Sequence, residues 1–180
     1  TDIKSVREDK VLKLATALEL GYQGLDINVG NGDQSKNPLG QSAKVRQALD
    51  LAIDRDALNQ VVFNGEFKPG NQWVSPENPY YQQAYPVPKR DVAKAKALMK
   101  EAGVSAPFDI DFMVPKGAET QAVAEVIQAM AGEIGINMKI RVTEFATSLK
   151  QAEQGNYQAY LLAWSGRTDP DGNTYIFFKC

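Results

Sequence analysis

The sequence predicts an α/β domain built on an open, largely parallel sheet with flanking helices. Two observations carry that reading. Residues 108–164 follow the order strand, helix, strand, helix, strand with short links, and they close on the near-continuous apolar run Ala159-Tyr160-Leu161-Leu162-Ala163-Trp164. Successive crossovers of this kind make strands parallel, and they are right-handed almost without exception. An apolar run without alternation is the mark of a strand covered on both faces, so residues 157–164 are expected inside the sheet.

Each element has its own justification. Residues 11–20 carry apolar side chains that fit either a helix face or a twisted strand. Gly21 and Gly24 bracket an expected turn, and residues 25–29 then read as a strand. Val45, Leu49, Ala52 and Ile53 form one helical stripe. Asp54 is placed to cap a following helix whose expected buried positions are Leu58, Val61 and Val62. Residues 69–88 hold five of the nine prolines together with Trp73, Tyr80, Tyr81 and Tyr85. That segment is too long and too apolar for a disordered linker, which predicts an ordered loop against the core. Asp91 opens a helix with Val92, Ala95, Leu98 and Met99 inward, ended by Gly103.

The second half is clearer. Phe108, Ile110, Phe112 and Val114 alternate with polar neighbours and with Met113, which predicts a strand. Val123, Val126, Ile127, Met130 and Ile134 then recur at helical spacing until Gly135. Ile136, Met138, Ile140 and Val142 alternate again. A short helix is expected over residues 147–154, closed by Gly155.

Composition excludes several functions. The 180 residues are 43% hydrophobic and 23% charged, with net charge −2, as in an ordinary globular domain able to bury roughly 70% of its unfolded surface. Without a basic excess a nucleic-acid partner is not expected. No apolar run approaches the roughly 18 residues that span a bilayer. There is no histidine, which removes the usual general base, metal ligand and activator of a nucleophile. The single cysteine is Cys180, and the chain starts at Thr1 without Met, a start that fits a processed or excised fragment, or a mature N-terminus. Neither a metal nor a cofactor is expected. Asp169-Pro170-Asp171-Gly172-Asn173 lacks the glycine position and the closing glutamate of a calcium loop. Gly30-Asn31-Gly32 lacks the third glycine of a dinucleotide loop. Ser165 lacks a nucleophile elbow and any histidine to activate it.

The best candidate site is the loop at residues 165–173, because ligands of open parallel sheets bind beyond the carboxyl ends of the strands. Trp164 offers a flat wall, or is simply core. Gly166 allows close backbone approach. Arg167 can hold a carboxylate or phosphate through two parallel hydrogen bonds, or can pair with Asp169 or Asp171. Ser165 and Asp169 belong to the same loop. Lys116 ends another strand at the expected same edge. Trp73 either faces that cleft or pins the proline-rich loop. Asn28 is either a hydrogen-bond stitch or a ligand contact.

Several segments in order resemble one family. They are Asn28 in Leu25-Asp26-Ile27-Asn28, and Val45-Arg46-Gln47-Ala48-Leu49 running into Ala52-Ile53-Asp54-Arg55. Ala93-Lys94-Ala95-Lys96-Ala97-Leu98 follows with Glu101-Ala102-Gly103, then Glu133-Ile134-Gly135-Ile136, and last Leu161-Leu162-Ala163-Trp164 with Asp169-Pro170-Asp171. In order and spacing the chain resembles the extracytoplasmic solute-binding proteins of ABC importers, the group of dipeptide-, oligopeptide- and nickel-binding proteins. The resemblance implies a non-enzymatic lobe of a two-lobed, type II periplasmic-binding-protein architecture. It implies that residues 1–180 are the second lobe and that the first lobe is absent. It further implies a peptide or similar small ligand, a membrane permease as partner, and a periplasmic or extracytoplasmic location. A disulfide from Cys180 to a cysteine further along a longer chain is implied by the same likeness. One departure is expected to matter: peptide-binding relatives place an aspartate where this chain has Arg167, which points to an acidic ligand or to one other than a plain peptide. Two rival readings are a small stand-alone α/β enzyme using Asp169 and Asp171, and an interaction module without a small ligand.

Overall fold

A computed structural model of the chain describes residues 3–178, and side chains through Tyr175. The expectations that rest on Thr1 and Cys180 lie outside the described residues. The helices are α1 (Ile3–Glu8), α2 (Pro38–Gln41), α3 (Ala43–Ala52), α4 (Arg55–Phe63), α5 (Val92–Glu101), α6 (Ala118–Gly132), α7 (Phe145–Glu153) and α8 (Pro170–Phe178). The strands are β1 (Tyr22–Ile27), β2 (Phe108–Pro115), β3 (Ile136–Thr143) and β4 (Ala159–Trp164).

The sheet order is β1-β4-β2-β3. β2 is parallel to β3 and to β4, while β1 runs antiparallel along the outer side of β4. The apolar run at 159–164 is therefore interior, as its lack of alternation requires, and Ala159–Leu162 are buried. Three carboxyl ends, Pro115, Thr143 and Trp164, share one edge of the sheet. The antiparallel β1 brings its start to that edge, since Tyr22 pairs with Trp164, and its end to the opposite one, since Ile27 pairs with Ala159.

Residues directly opposite in a ladder share a face, and the two faces differ. On one, Leu25, Ile27, Ile110, Phe112, Val114, Ile136, Met138 and Leu161 join Val45, Leu49, Ala95, Val123 and Ile127 of the helices in the main core. On the other, Met113, Tyr160 and Leu162 are covered by Leu149, Ala152 and Tyr157. Arg141 fixes this thinner layer by a fork to both Asp111 oxygens, at 2.9 and 2.7 Å, and by a 2.7 Å bond to Gln151 of α7.

Three sequence expectations are corrected. Residues 11–20 form neither helix nor strand, and Val11 is 91% exposed; apolar content without a neighbouring ladder or helix face gives them nothing to pair with. Gly24 lies inside β1 rather than in a turn, and the strand ends at Ile27. Val61 is exposed and α4 buries none of its residues fully, because α4 lies at the margin of α6 and touches the core only through Leu58, Val62 and Phe63. The proline-rich loop is ordered by its own hydrogen bonds. Asn71 donates to the Tyr85 and Pro86 carbonyls, and Gln72 to those of Gln82 and Tyr85.

Asp26 faces the thinner layer opposite Tyr160 and has no ion pair among the described residues. Burial pushes its carboxyl up to about 6. Between roughly pH 4 and 6 the folded chain then holds a proton that the unfolded chain has released. Stability is full below the unfolded value and falls as pH rises through about 6, by ~3 kcal/mol. Asp26→Asn should therefore be more stable than wild type at pH 7.5 and equal to it near pH 4. Urea unfolding of both at the two pH values checks this; parallel pH profiles would refute it.

A candidate ligand rim at the carboxyl edge

Beyond Trp164 the chain must turn away from the sheet, and it does so at Gly166, which is buried with φ +76°. It then enters α8 through Asp169 and Pro170. Asp169 accepts a 2.9 Å hydrogen bond from the Asp171 amide, which makes it the helix N-cap with proline at the first helical position.

Asn173, on the first turns of α8, is wholly buried. Its Oδ1 accepts from the Trp164 indole N–H at 3.2 Å and from the Arg167 amide at 2.6 Å. Its Nδ2 donates to the carbonyls of Trp73 at 3.1 Å and Arg167 at 3.0 Å. Its own carbonyl accepts from the Tyr22 hydroxyl at 3.3 Å. One side chain thus ties together β4, the loop after it and the proline-rich loop, and Asn78 adds a second tie through a 3.2 Å bond to the Thr168 carbonyl. Sequence reasoning places Asn173 at the end of the candidate loop at residues 165–173 and in a rejected calcium motif, without giving its side chain a role. The signal available was a polar amide in the first turns of a helix following an aspartate-proline cap.

The predicted site residues separate into two groups. Trp164, Ser165, Gly166, Arg167, Asp169 and Trp73 are brought together at the carboxyl edge. Trp164 is half-buried, Trp73 is 48% exposed, and the Arg167 guanidinium carbon lies 5.2 Å from the Trp164 ring centroid. Lys116 leaves the same edge of the sheet, paired with Glu144 at 3.2 Å. Asn28 does not belong with them. It lies at the opposite edge, buried, and its amide donates to the carbonyls of Asn31, Gly155 and Tyr157 while its Oδ1 accepts from the Gly30 and Asn31 amides. Its side chain is consumed as a stitch between β1 and the link before β4. Gly166 is also corrected. The space beside its Cα is filled by the Leu20 backbone, so its smallness serves chain packing and not ligand clearance.

The pairing of Arg167 with Asp169 or Asp171 is not formed. Its Nη1 donates to the Gly166 carbonyl at 2.7 Å and to Ser165 Oγ at 3.3 Å. Chemically the rim offers the Trp164 indole and a guanidinium, beside a tryptophan whose backbone is tied to the same loop. Among the described residues no cluster of acids or thiols is arranged to hold a metal ion, and no helix is long and apolar enough to cross a membrane. Two shallow hollows among the described residues, each of ≈540 Å³, lie between α4 and α6 and beside Pro107 and Gly135; neither includes Trp73, Trp164 or Arg167.

Comparison with known proteins places the chain in context. The model of the bacterial extracellular solute-binding proteins, family 5 (middle), matches residues 1–180. The dipeptide-binding protein of Escherichia coli K12 is 31% identical over 185 residues, covering 99% of this chain and 34% of that protein. The solved structure of the oligopeptide-binding protein AppA of Bacillus subtilis, in complex with a nonapeptide, superposes with a TM-score of 0.79 at 27% identity, over 94% of this chain and 36% of that one. The PBP AgaA from A. tumefacien R10, in complex with agropinic acid, superposes with a TM-score of 0.71 at 25% identity, over 94% of this chain and 34% of that one. The chain spans about a third of the length of the curated relatives it matches.

Proposed function

The chain belongs to the bacterial extracellular solute-binding proteins of family 5, and from that premise we propose that it is the second of two lobes that trap a small solute for an ABC importer. The observation that carries the reading is the rim itself. The Trp164 indole and the Arg167 guanidinium meet where parallel strands end, with the Trp73 backbone tied beside them through Asn173, on a surface that neither hollow among the described residues encloses. Good small-molecule sites bury roughly 70–90% of the ligand. A rim of this kind therefore needs a facing wall, which a first lobe would supply when the two close by hinge bending. Peptides are the first substrates to try, since similar proteins carry peptide names or a bound peptide. Agropinic acid in another similar fold widens the range to other small solutes. The whole protein would act without chemistry at the solute, outside the cytoplasmic membrane, handing its cargo to a permease.

Calorimetry tests the proposal with two samples, the full-length protein and residues 1–180 alone, each titrated with a panel of di- and tripeptides. Binding by the full-length protein, weakened by roughly tenfold or more in the segment alone, is expected. Equal affinity in the two samples would rule out the two-lobe trap, and the absence of binding in both would rule out a peptide cargo.

A further inference from the structure

Resting on that reading, we propose that the rim selects an anionic group on its ligand and that Arg167 receives it. The guanidinium is held in place entirely by neutral groups. Its Nη1 bonds the Gly166 carbonyl and Ser165 Oγ, its plane lies near the Trp164 ring, and its stem runs against Gly172, where an added Cβ would come within 3.0 Å of the Arg167 Cγ. A side chain so confined has already lost much of the rotamer freedom that an arginine otherwise loses on binding.

The charge is left uncompensated. Arg7, Arg55, Arg90 and Arg141 each take a carboxylate, and Arg46 spends its Nη1 on the Leu39 and Gly40 carbonyls; like Arg46, Arg167 makes no ion pair among the described residues. The neighbouring Asp169 is turned to the α8 amide instead. With Nη1 occupied, the N–H groups of Nε and Nη2 meet no protein acceptor among the described residues. Those two point side by side, and that edge of a guanidinium is one that binds a carboxylate through two parallel hydrogen bonds. The group is therefore an oriented cation at the edge where ligands of such sheets dock. A free amine, which an aspartate at this position would attract, is repelled here.

The test uses the full-length protein with matched probes: Ala-Glu-Ala against Ala-Gln-Ala, and Ala-Ala-Ala against its carboxyl-terminal amide. The first pair reads a side-chain carboxylate and the second a terminal one. Wild type should favour the acidic member of at least one pair by roughly tenfold or more, the range of a charge-assisted hydrogen bond. Arg167→Gln should abolish that preference while still binding the neutral member. Arg167→Lys, which keeps the charge but not the fork, should retain part of it. Unfolding midpoints within a few degrees of wild type show that the variants are folded. A preference that survives Arg167→Gln, or none in wild type that binds both members, overturns the anion assignment and leaves the binding-lobe reading standing. Failure of wild type to bind any of the four probes overturns the peptide cargo and, with it, the assignment of Arg167 to a peptide carboxylate.

Discussion

Asn173→Asp is expected to cost about 3 kcal/mol or more of folding stability and to uncouple the two loops at the carboxyl edge. The amide is fully buried and uses both ends: Oδ1 receives two N–H groups, and Nδ2 gives its hydrogens to the Trp73 and Arg167 carbonyls. A carboxylate of the same shape keeps the first pair and reverses the second, setting an anionic oxygen against two carbonyl oxygens. A buried polar group facing the wrong partner costs about 1–3 kcal/mol, and more when charged. Protonation would restore one donor, so the deficit should shrink as pH falls. Asn173→Ala loses all four bonds without the repulsion and should lie between the variant and wild type. Urea unfolding gives the free energies, and amide exchange at Arg167 reports the local release. A loss below 1 kcal/mol for Asn173→Asp would mean that the loops hold one another without this side chain.

Much of the sheet was legible because burial on two faces leaves a plain mark in sequence. The run at 159–164 has no charged or amide position, and it forms β4, which with β2 is one of the two strands with neighbours on both sides. The stripes at Val45 and at Val123 are equally direct, and both enter the main core. The first strand was harder. Tyr22, Gly24 and Asp26 face the thinly covered layer, where a tyrosine, a glycine and a titrating carboxyl replace the apolar alternation that marks a strand. The site was half legible for a related reason. An edge rule locates Trp164 and Arg167 from strand ends alone, but it says nothing of which end an antiparallel edge strand presents. For want of that fact Asn28 stays open between a stitch and a ligand contact in the sequence, and its hydrogen bonds make it the stitch. Asn173 was missed because its partners are distant in sequence, from Tyr22 to Trp73, and hydrogen-bond hubs have no periodicity.

Gly166→Ala is expected to destabilise the fold by about 3 kcal/mol or more and to displace Arg167 from the Trp164 ring. Two costs are superposed. At φ +76° an L-residue loses roughly 1–2 kcal/mol against glycine. The added Cβ would also stand 2.0 Å from the Leu20 carbonyl oxygen and 2.7 Å from the Gly21 nitrogen, so backbone has to move. The Leu20–Gly21 segment has little room to retreat, because Gly21 is itself seated 2.8 Å, measured from an ideal Cβ, from the Trp164 carbonyl and leads directly into β1. The loop after β4 must therefore yield, carrying Arg167 with it. Gly103→Ala separates the two costs. Its φ is +66° and nothing lies within 4 Å of an added Cβ, so it should lose only the conformational part, about 1 kcal/mol. Urea unfolding of the two variants reads the steric part as their difference, and indole fluorescence reads the change at Trp164. Equal losses at Gly166 and Gly103, with unchanged fluorescence, would show that the Leu20 backbone gives way freely and that the rim does not depend on this contact.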